Sequence, residues 1–295
     1  MTNKPVLMVS FSGGRTSAYM SKRLKDEYSD SYDLVFVFMN TGLEAEETLA
    51  FVDACDKFFG LNVVWLEAVI HEQVGVGTTH KVVNFETACR DKSLFVDMCR
   101  AYGIPNVGFK HCTRELKTNV FDSYRKERYP GADRAIGIRI DEIDRMNSNA
   151  DALGIKYPLV SWFPSTKQEI LDWWAGQEFN LMIPEHYGNC KTCFKKSDRK
   201  LYTLVSERPE WFEDFAFIES DTKSIIATDA RPKNSGKFFR KKRTTTDLFF
   251  NAYTHTPHGS TTRTSNLSPT SRTGAKQAAN LSERITGNDD LCNAI

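Results

Sequence analysis

Residues 6–17 read Val6-Leu7-Met8-Val9-Ser10-Phe11-Ser12-Gly13-Gly14-Arg15-Thr16-Ser17. Val6 to Ser12 is a short apolar run of the kind that forms a buried strand, and it stops at two glycines. From Thr16 to Tyr28 the apolar Tyr19, Met20 and Leu24 recur at helical spacing. Small residues between a strand and a helix let the backbone turn tightly, so that several N–H groups converge on one point. The N-terminus of the following helix adds partial positive charge there. Ser12, Thr16 and Ser17 bring hydroxyls, and Arg15 can add a charge. The stretch predicts a phosphate held at Ser10–Ser17. A turn that needs glycine for geometry alone is the plain alternative. No Gly-Lys-Ser/Thr ending is present, so this is not a Walker loop.

Outward from this loop the chain keeps a βαβαβ rhythm. Leu34–Met39 is an apolar run of six, the pattern of a strand covered on both faces. Glu44–Phe59 reads as a second helix with Leu49, Val52 and Phe59 on its apolar side, and Val63–Leu66 as a third strand. That alternation predicts an α/β fold with a parallel sheet. Further on, helices are expected over Glu86–Tyr102, Arg114–Arg128 and Lys167–Gly176, and strands over Ala135–Ile140 and Tyr157–Val160. Val74–Lys81 reads as a surface loop that could cover a pocket. No internal repeat is visible. Thr254–Ala278 is rich in Ser, Thr, Gly and Pro and poor in large apolar residues, which predicts a flexible segment. The division expected is 1–165 as the α/β domain, 166–252 as a small C-terminal subdomain, and 253–295 as a flexible Ser/Thr-rich tail.

The whole chain of 295 residues is 40% hydrophobic and 26% charged, within the range of globular proteins. No apolar stretch is long enough for a transmembrane helix, and the start is broken by glycines too soon for a secretory signal. Cytoplasmic placement and reduced cysteines are therefore expected. The net charge of +1 conceals a split: residues 231–295 carry 11 basic and 4 acidic residues, net +7, leaving residues 1–230 at net −6. The run Lys237-Phe238-Phe239-Arg240-Lys241-Lys242-Arg243 interleaves aromatics with cations, as single-strand nucleic-acid binders do, and could hold RNA or DNA; a solvated helix start is the plain reading.

Five stretches in order carry a family resemblance. Ser10–Ser17 resembles the pyrophosphate-binding loop of the ATP pyrophosphatase and phosphoadenosine phosphosulfate (PAPS) reductase superfamily. Phe38-Met39-Asn40-Thr41-Gly42-Leu43-Glu44, followed by Glu47-Thr48, is similar to the reductases' strand-two motif. Cys112-Thr113-Arg114-Glu115-Leu116-Lys117 looks like their Cys-x-x-x-x-Lys segment. Gly137-Ile138-Arg139-Ile140-Asp141-Glu142 resembles their Gly-Ile-Arg-x-Asp-Glu segment, and Tyr157–Trp162 their Pro-Leu-x-x-Trp stretch. The combination, over roughly residues 6–220, is similar to a PAPS reductase-like group met in phage and prophage sequences. It implies a PP-loop, adenine nucleotide α-hydrolase-like (Rossmann-like) domain, host cytoplasm as the location if phage-encoded, and a site that binds ATP or a PAPS-like adenylyl nucleotide with Mg²⁺. Two carboxylates of the family pattern are replaced, by Thr16 and by Asn40, and both changes remove a group that could help hold Mg²⁺. The Glu-Cys-Gly-type motif of assimilatory reductases is absent, and Cys292 does not match it.

The resemblance implies nucleotide contacts at Ser10, Ser12, Gly13, Gly14, Arg15, Thr16, Ser17, Asn40, Thr41, Gly42, Glu44, Asp141 and Glu142. It implies catalytic roles for Cys112, Lys117 and Arg139, the arginine gripping phosphate or sulfate. A solvated mixed-charge turn is the plain reading of Arg139 and a surface lysine that of Lys117, and a helix-start carboxylate explains Glu44 equally well. Cys190-Lys191-Thr192-Cys193 sets two sulfurs one turn apart, a spacing that suits one metal. With Cys112 as third ligand the set could hold a [4Fe–4S] cluster with one open iron, or Zn²⁺ with His111 or His186 as fourth. A redox dithiol and an inert buried pair are the other readings. Cys55, Cys89 and Cys99 fit core positions, and Trp162, Trp173 and Trp174 fit packing better than base stacking.

The function expected is thus a PP-loop enzyme that either adenylates an acceptor oxygen and then transfers sulfur, or reduces a nucleotide-linked sulfate. The alternative is a non-enzymatic nucleotide- or nucleic-acid-binding protein with a structural metal. An adenine nucleotide is the expected partner, a homodimer could form, and no membrane partner is expected.

Overall fold

The computed structural model describes residues 4–71, 76–188, 190–221, 237–239 and 242–255. Of the flexible tail expected over 253–295, residues 253–255 close a helix and the rest, with Cys292, lies outside the described residues, as do Val74, Gly75, Asn189, Arg240 and Lys241. The chain divides into two compact units. The first comprises residues 1–101 and 112–191, the second residues 102–111 and 192–295.

The first unit is α/β. Strand β1 is Val6–Phe11, followed by helix α1 (Arg15–Tyr28), β2 (Asp33–Met39), α2 (Glu46–Phe59), β3 (Val64–Ile70) and β4 (Thr78–Val83). Helix α3 (Ser93–Tyr102) and a helical run ending in α4 (Asn119–Arg128) lead to β5 (Asp133–Ile136) and β6 (Ile155–Lys156). The six strands lie in the order β4-β3-β2-β1-β5-β6. All pairs are parallel except β3 with β4. β1 is buried at Leu7, Met8, Val9 and Phe11, and β2 from Phe36 to Met39, as apolar runs in a sheet flanked by helices demand. The chain runs outward from β1 to β2 and β3, then returns to the other side of β1 for β5. β1 is therefore the point where the connections reverse direction, and the crevice beyond its carboxyl end is where open α/β sheets bind ligands.

Four local expectations are revised. Thr78–Val83 is an antiparallel edge strand instead of a loop, with register from Ile70↔Thr78 to Trp65↔Val83. The helix expected over Glu86–Tyr102 starts only at Ser93. Asn84 and Thr87 bond each other's backbone N–H groups, and the Asp91 carboxylate accepts from Ser93 N at 2.8 Å, so side chains here compete with the helix. Arg114–Thr118 is a π turn leading into α4. Pro158 opens a short helix, Pro158–Ser161, where a strand was expected; proline lacks the ladder N–H and suits a first helical turn.

Helix α5 (Lys167–Ala175), assigned by sequence to the second domain, packs in the first unit. Its N-cap Thr166 and Glu169 form a reciprocal capping box. Trp174 is buried and donates Nε1–H to the Arg15 carbonyl at 2.9 Å, while Trp173 meets Tyr19 edge-on at 5.2 Å. Trp162 stacks on Tyr28 and Tyr32. All three tryptophans thus serve packing. Cys55 and Cys99 are core residues, and burial pushes the Cys55 thiol far up.

The second unit holds α6 (Asp198–Glu207), the turn Pro209–Phe212, α7 (Glu213–Ser220) and α8 (Thr245–His255). Leu201, Leu204, Phe212, Phe215, Phe238, Phe239 and Leu248 form its core. Phe215 and Phe238 stack at 4.1 Å. The Glu219 carboxylate accepts from Phe238 N at 3.2 Å and Thr245 N at 2.7 Å, and burial pushes its carboxyl up to about 7.

Candidate functional site

The loop between β1 and α1 is built by its own hydroxyls. Ser17 Oγ donates to the Gly14 carbonyl at 3.0 Å and accepts from Ser12 N at 3.1 Å. Its one proton is then committed, so the 3.0 Å contact between Ser12 Oγ and Ser17 Oγ has Ser12 as donor. Gly13 sits at φ +77, and a Cβ there would fall 2.8 Å from Thr48 Cγ2 and 3.2 Å from Phe38 and Val52, so only glycine lets the loop lie on α2. Gly14 precedes α1 in extended conformation, offers no side-chain cap, and the first turn of α1 carries no acid. The positive end of α1 is therefore uncapped by side chain and unneutralised within its own first turn, facing the crevice at the switch point.

Arg15 does not add its charge to this loop. Its Nε donates to Asn180 Oδ1 at 2.7 Å and its Nη2 to the Leu181 carbonyl, so it ties α1 to residues 180–181. Arg139, which follows β5, reaches the loop instead. Its Nη1 donates to Thr16 Oγ1 at 3.1 Å. It also makes a two-pronged pair with Asp141, at 2.9 and 3.0 Å, and meets Glu142 Oε2 at 3.1 Å. The Arg139 guanidinium holds the Asp141 carboxyl below its ordinary range. Asp141 and Glu142 thus orient Arg139 over Thr16.

The turn after β2 supplies the opposite wall. Glu44 is buried and accepts from Thr41 N at 3.0 Å and from Thr41 Oγ1 at 2.8–2.9 Å. Lys117 Nζ lies 3.8 Å from Glu44 Oε1. Lys117 belongs to the π turn, an irregularity that recurs at functional sites. Glu115 in the same turn is buried and accepts from Thr78, Asn119 and Arg114, which fixes the irregular turn. At the carboxyl ends of β1, β2 and β5 a cavity of about 160 Å³ is lined by Phe11, Met39, Phe121 and Ile136 together with the polar Ser10, Ser12, Lys117, Thr118 and Arg134. A larger hollow, about 480 Å³, lies along Ile155–Tyr157, and none of the residues expected in the site lines it.

Asn40, expected as a nucleotide contact, is fully buried. Its Nδ2 donates to Glu67 Oε1 at 2.7 Å and to the Cys89 carbonyl at 2.8 Å, and its Oδ1 accepts from Gly42 N at 3.2 Å. Glu67 was not singled out in the sequence. The signal was available: one acid in the apolar strand Val64-Trp65-Leu66-Glu67-Ala68-Val69-Ile70 needs a polar partner if buried.

Cys190 Sγ lies 3.5 Å from Thr41 Oγ1, and Lys191 N donates to the Leu43 carbonyl at 2.8 Å, so Cys190 is seated at the β2 turn. Cys112 belongs to the same unit, Cys193 to the second. Among the described residues no group of three or more His, Cys, Asp or Glu side chains is placed to hold a metal ion. The expected ligand set of Cys112, Cys190 and Cys193 is thus divided between the two units.

In the basic strip, Phe238 and Phe239 are fully buried, so their rings belong to the core of the second unit and are closed to base stacking. Arg243 donates to Asp198 Oδ1 at 2.7 Å and to Tyr202 at 3.2 Å. No helix among the described residues is long and apolar enough to cross a membrane.

No protein-family model matches the chain. Over 199 residues, 66% of this chain and 67% of the relative, it is 37% identical to the "Uncharacterized nin region protein ORF290" of Escherichia phage lambda.

Proposed function

We propose that this chain, which belongs to the family of the phage lambda nin region protein ORF290, is an adenine-nucleotide enzyme of the PP-loop, PAPS reductase-like kind. The observation that carries the reading is the Ser12–Ser17 loop at the reversal point of a parallel sheet, with the uncapped start of α1 facing the crevice. The phosphates of ATP or a related adenylyl nucleotide lie over this loop, with Mg²⁺ brought on the phosphates. The cavity of Phe11, Met39, Phe121 and Ile136, which Lys117 and Arg134 also line, takes the base.

In the adenylation reading an acceptor oxygen attacks the α-phosphorus. The bond to the α–β bridging oxygen breaks, and pyrophosphate leaves with the electron pair. The negative charge that builds on the bridging oxygen is met by the loop N–H groups and the positive end of α1. Arg139, oriented by Asp141 and Glu142, and Lys117 are the cations nearest the phosphates. A sulfur nucleophile then attacks the activated carbon and AMP departs. Cys190 places a protein thiol beside Thr41 in this wall. Reduction of a nucleotide-linked sulfate is the other downstream chemistry for the same binding site.

The test is release of pyrophosphate from Mg²⁺-ATP labelled at the γ-phosphate, with RNA and small acceptors supplied in turn, by wild type and by Ser17→Ala. Acceptor-dependent release that Ser17→Ala abolishes supports the reading. ATP binding without product from any acceptor, or from PAPS with a thiol reductant, overturns the enzymatic assignment.

A further inference from the structure

Glu67 is a carboxylate with no exposed surface in the middle of β3, and it faces the underside of the β2 turn. Three donors from three segments converge on it. Oε1 accepts from Asn40 Nδ2 at 2.7 Å and from Cys89 N. Oε2 faces Lys81 Nζ at 3.0 Å, an ion pair not aligned as a hydrogen bond. Asn40 in turn accepts from Gly42 N, and Gly42 stands at φ +78 with the Asp91 carbonyl 2.4 Å from where a Cβ would be. The turn above carries Thr41 and Glu44, the wall that meets Lys117 and Cys190.

A buried carboxylate is retained at a cost unless its hydrogen bonds are used. Here Oε1 accepts directly from Cys89 N and from Asn40, whose own Oδ1 accepts from the Gly42 N–H. The arrangement also accounts for the amide at position 40. An aspartate there would set a second carboxylate 2.7 Å from Glu67 Oε1, and like charges at that separation cannot both stay ionised.

We infer that Glu67 is the positioning residue of the site: through Asn40 it fixes the Gly42 N–H and the left-handed turn that presents Thr41 and Glu44 to the nucleotide. The consequence for binding rests on the nucleotide reading above; the consequence for Gly42 does not.

The test compares the full chain with Glu67→Leu, Glu67→Gln and Asn40→Asp, following the Gly42 amide by hydrogen exchange and Mg²⁺-ATP affinity by calorimetry. Glu67→Leu removes the shared acceptor and is expected to speed Gly42 exchange and weaken ATP each by about tenfold or more, while Ser12 exchange stays unchanged. Glu67→Gln keeps an oxygen at the Oε1 position and should hold both readouts within about threefold of wild type. A residue that only fills the core would give the opposite order, because leucine packs there without a buried charge. If Glu67→Leu does not fold, Asn40→Asp alone and combined with Glu67→Gln carry the test. The carboxylate of Asn40→Asp keeps the acceptor for Gly42 but meets both Glu67 Oε1 and the Cys89 carbonyl, and only a Glu67 that faces position 40 lets the added Glu67→Gln amide restore Gly42 exchange and ATP affinity toward wild type. Gly42 exchange unchanged in Glu67→Leu or in Asn40→Asp, or left unrestored when Glu67→Gln is added to Asn40→Asp, overturns the inference. Wild type that binds no ATP overturns the nucleotide reading instead, and Gly42 exchange still decides the role of Glu67.

Discussion

Gly42 and Gly60 share a left-handed backbone, but a Cβ at Gly42 would meet the Asp91 carbonyl at 2.4 Å and one at Gly60 would meet nothing within 4 Å. Gly60→Ala should therefore cost only the conformational term, about 1 kcal/mol, and Gly42→Ala at least about 3 kcal/mol because the 91–93 turn must move. Urea denaturation of the two variants measures the difference. Arg139 is the second residue to probe. Lysine keeps its charge but cannot span Thr16, Asp141 and Glu142 at once, so Arg139→Lys should weaken Mg²⁺-ATP binding by roughly tenfold without lowering the melting temperature. The Ser12–Ser17 loop was readable in the sequence because its bonds are local. Arg15 was misread for the opposite reason: its partners, Asn180 and Leu181, lie more than 160 residues away. The same holds for Glu67, whose three partners come from three separate segments.

Among the elements, β1, α1, β2, α2 and β3 follow their hydropathy patterns closely. β4 did not declare itself, because an edge strand that reads Thr78-Thr79-His80-Lys81-Val82-Val83 has polar residues on both faces. The π turn at Arg114–Thr118 was also invisible, since it depends on Glu115 bonding Thr78 and Asn119. Helix α7 carries a testable pH dependence. Glu219 has its carboxyl raised by burial to about 7, against 4.5 as the ordinary value. The folded state then holds more protons than the unfolded state between those limits, so stability falls as pH rises from about 4.5 to about 7 and levels off above. Relative to Glu219→Gln, the wild-type chain should lose up to roughly 3 kcal/mol across that window. Denaturant midpoints at several pH values check it; parallel curves for the two proteins contradict the assignment.

For the whole molecule, the order β4-β3-β2-β1-β5-β6 sets three turns around one crevice: Ser12–Gly14 after β1, Asn40–Glu44 after β2 and Gly137–Arg139 after β5. That convergence, more than any single motif, makes the crevice the candidate site. The second unit buries the two phenylalanines of the basic strip, so a nucleic-acid acceptor, if there is one, is not gripped by those rings. The measurement that tests the account most directly is calorimetric titration of Mg²⁺-ATP, AMP and inorganic pyrophosphate into wild type and Ser17→Ala. ATP binding with a Kd below about 100 μM, competition by pyrophosphate, and at least about tenfold weakening in Ser17→Ala are expected. Absence of binding by all three ligands at about 1 mM, or equal affinity in the variant, would contradict the nucleotide reading.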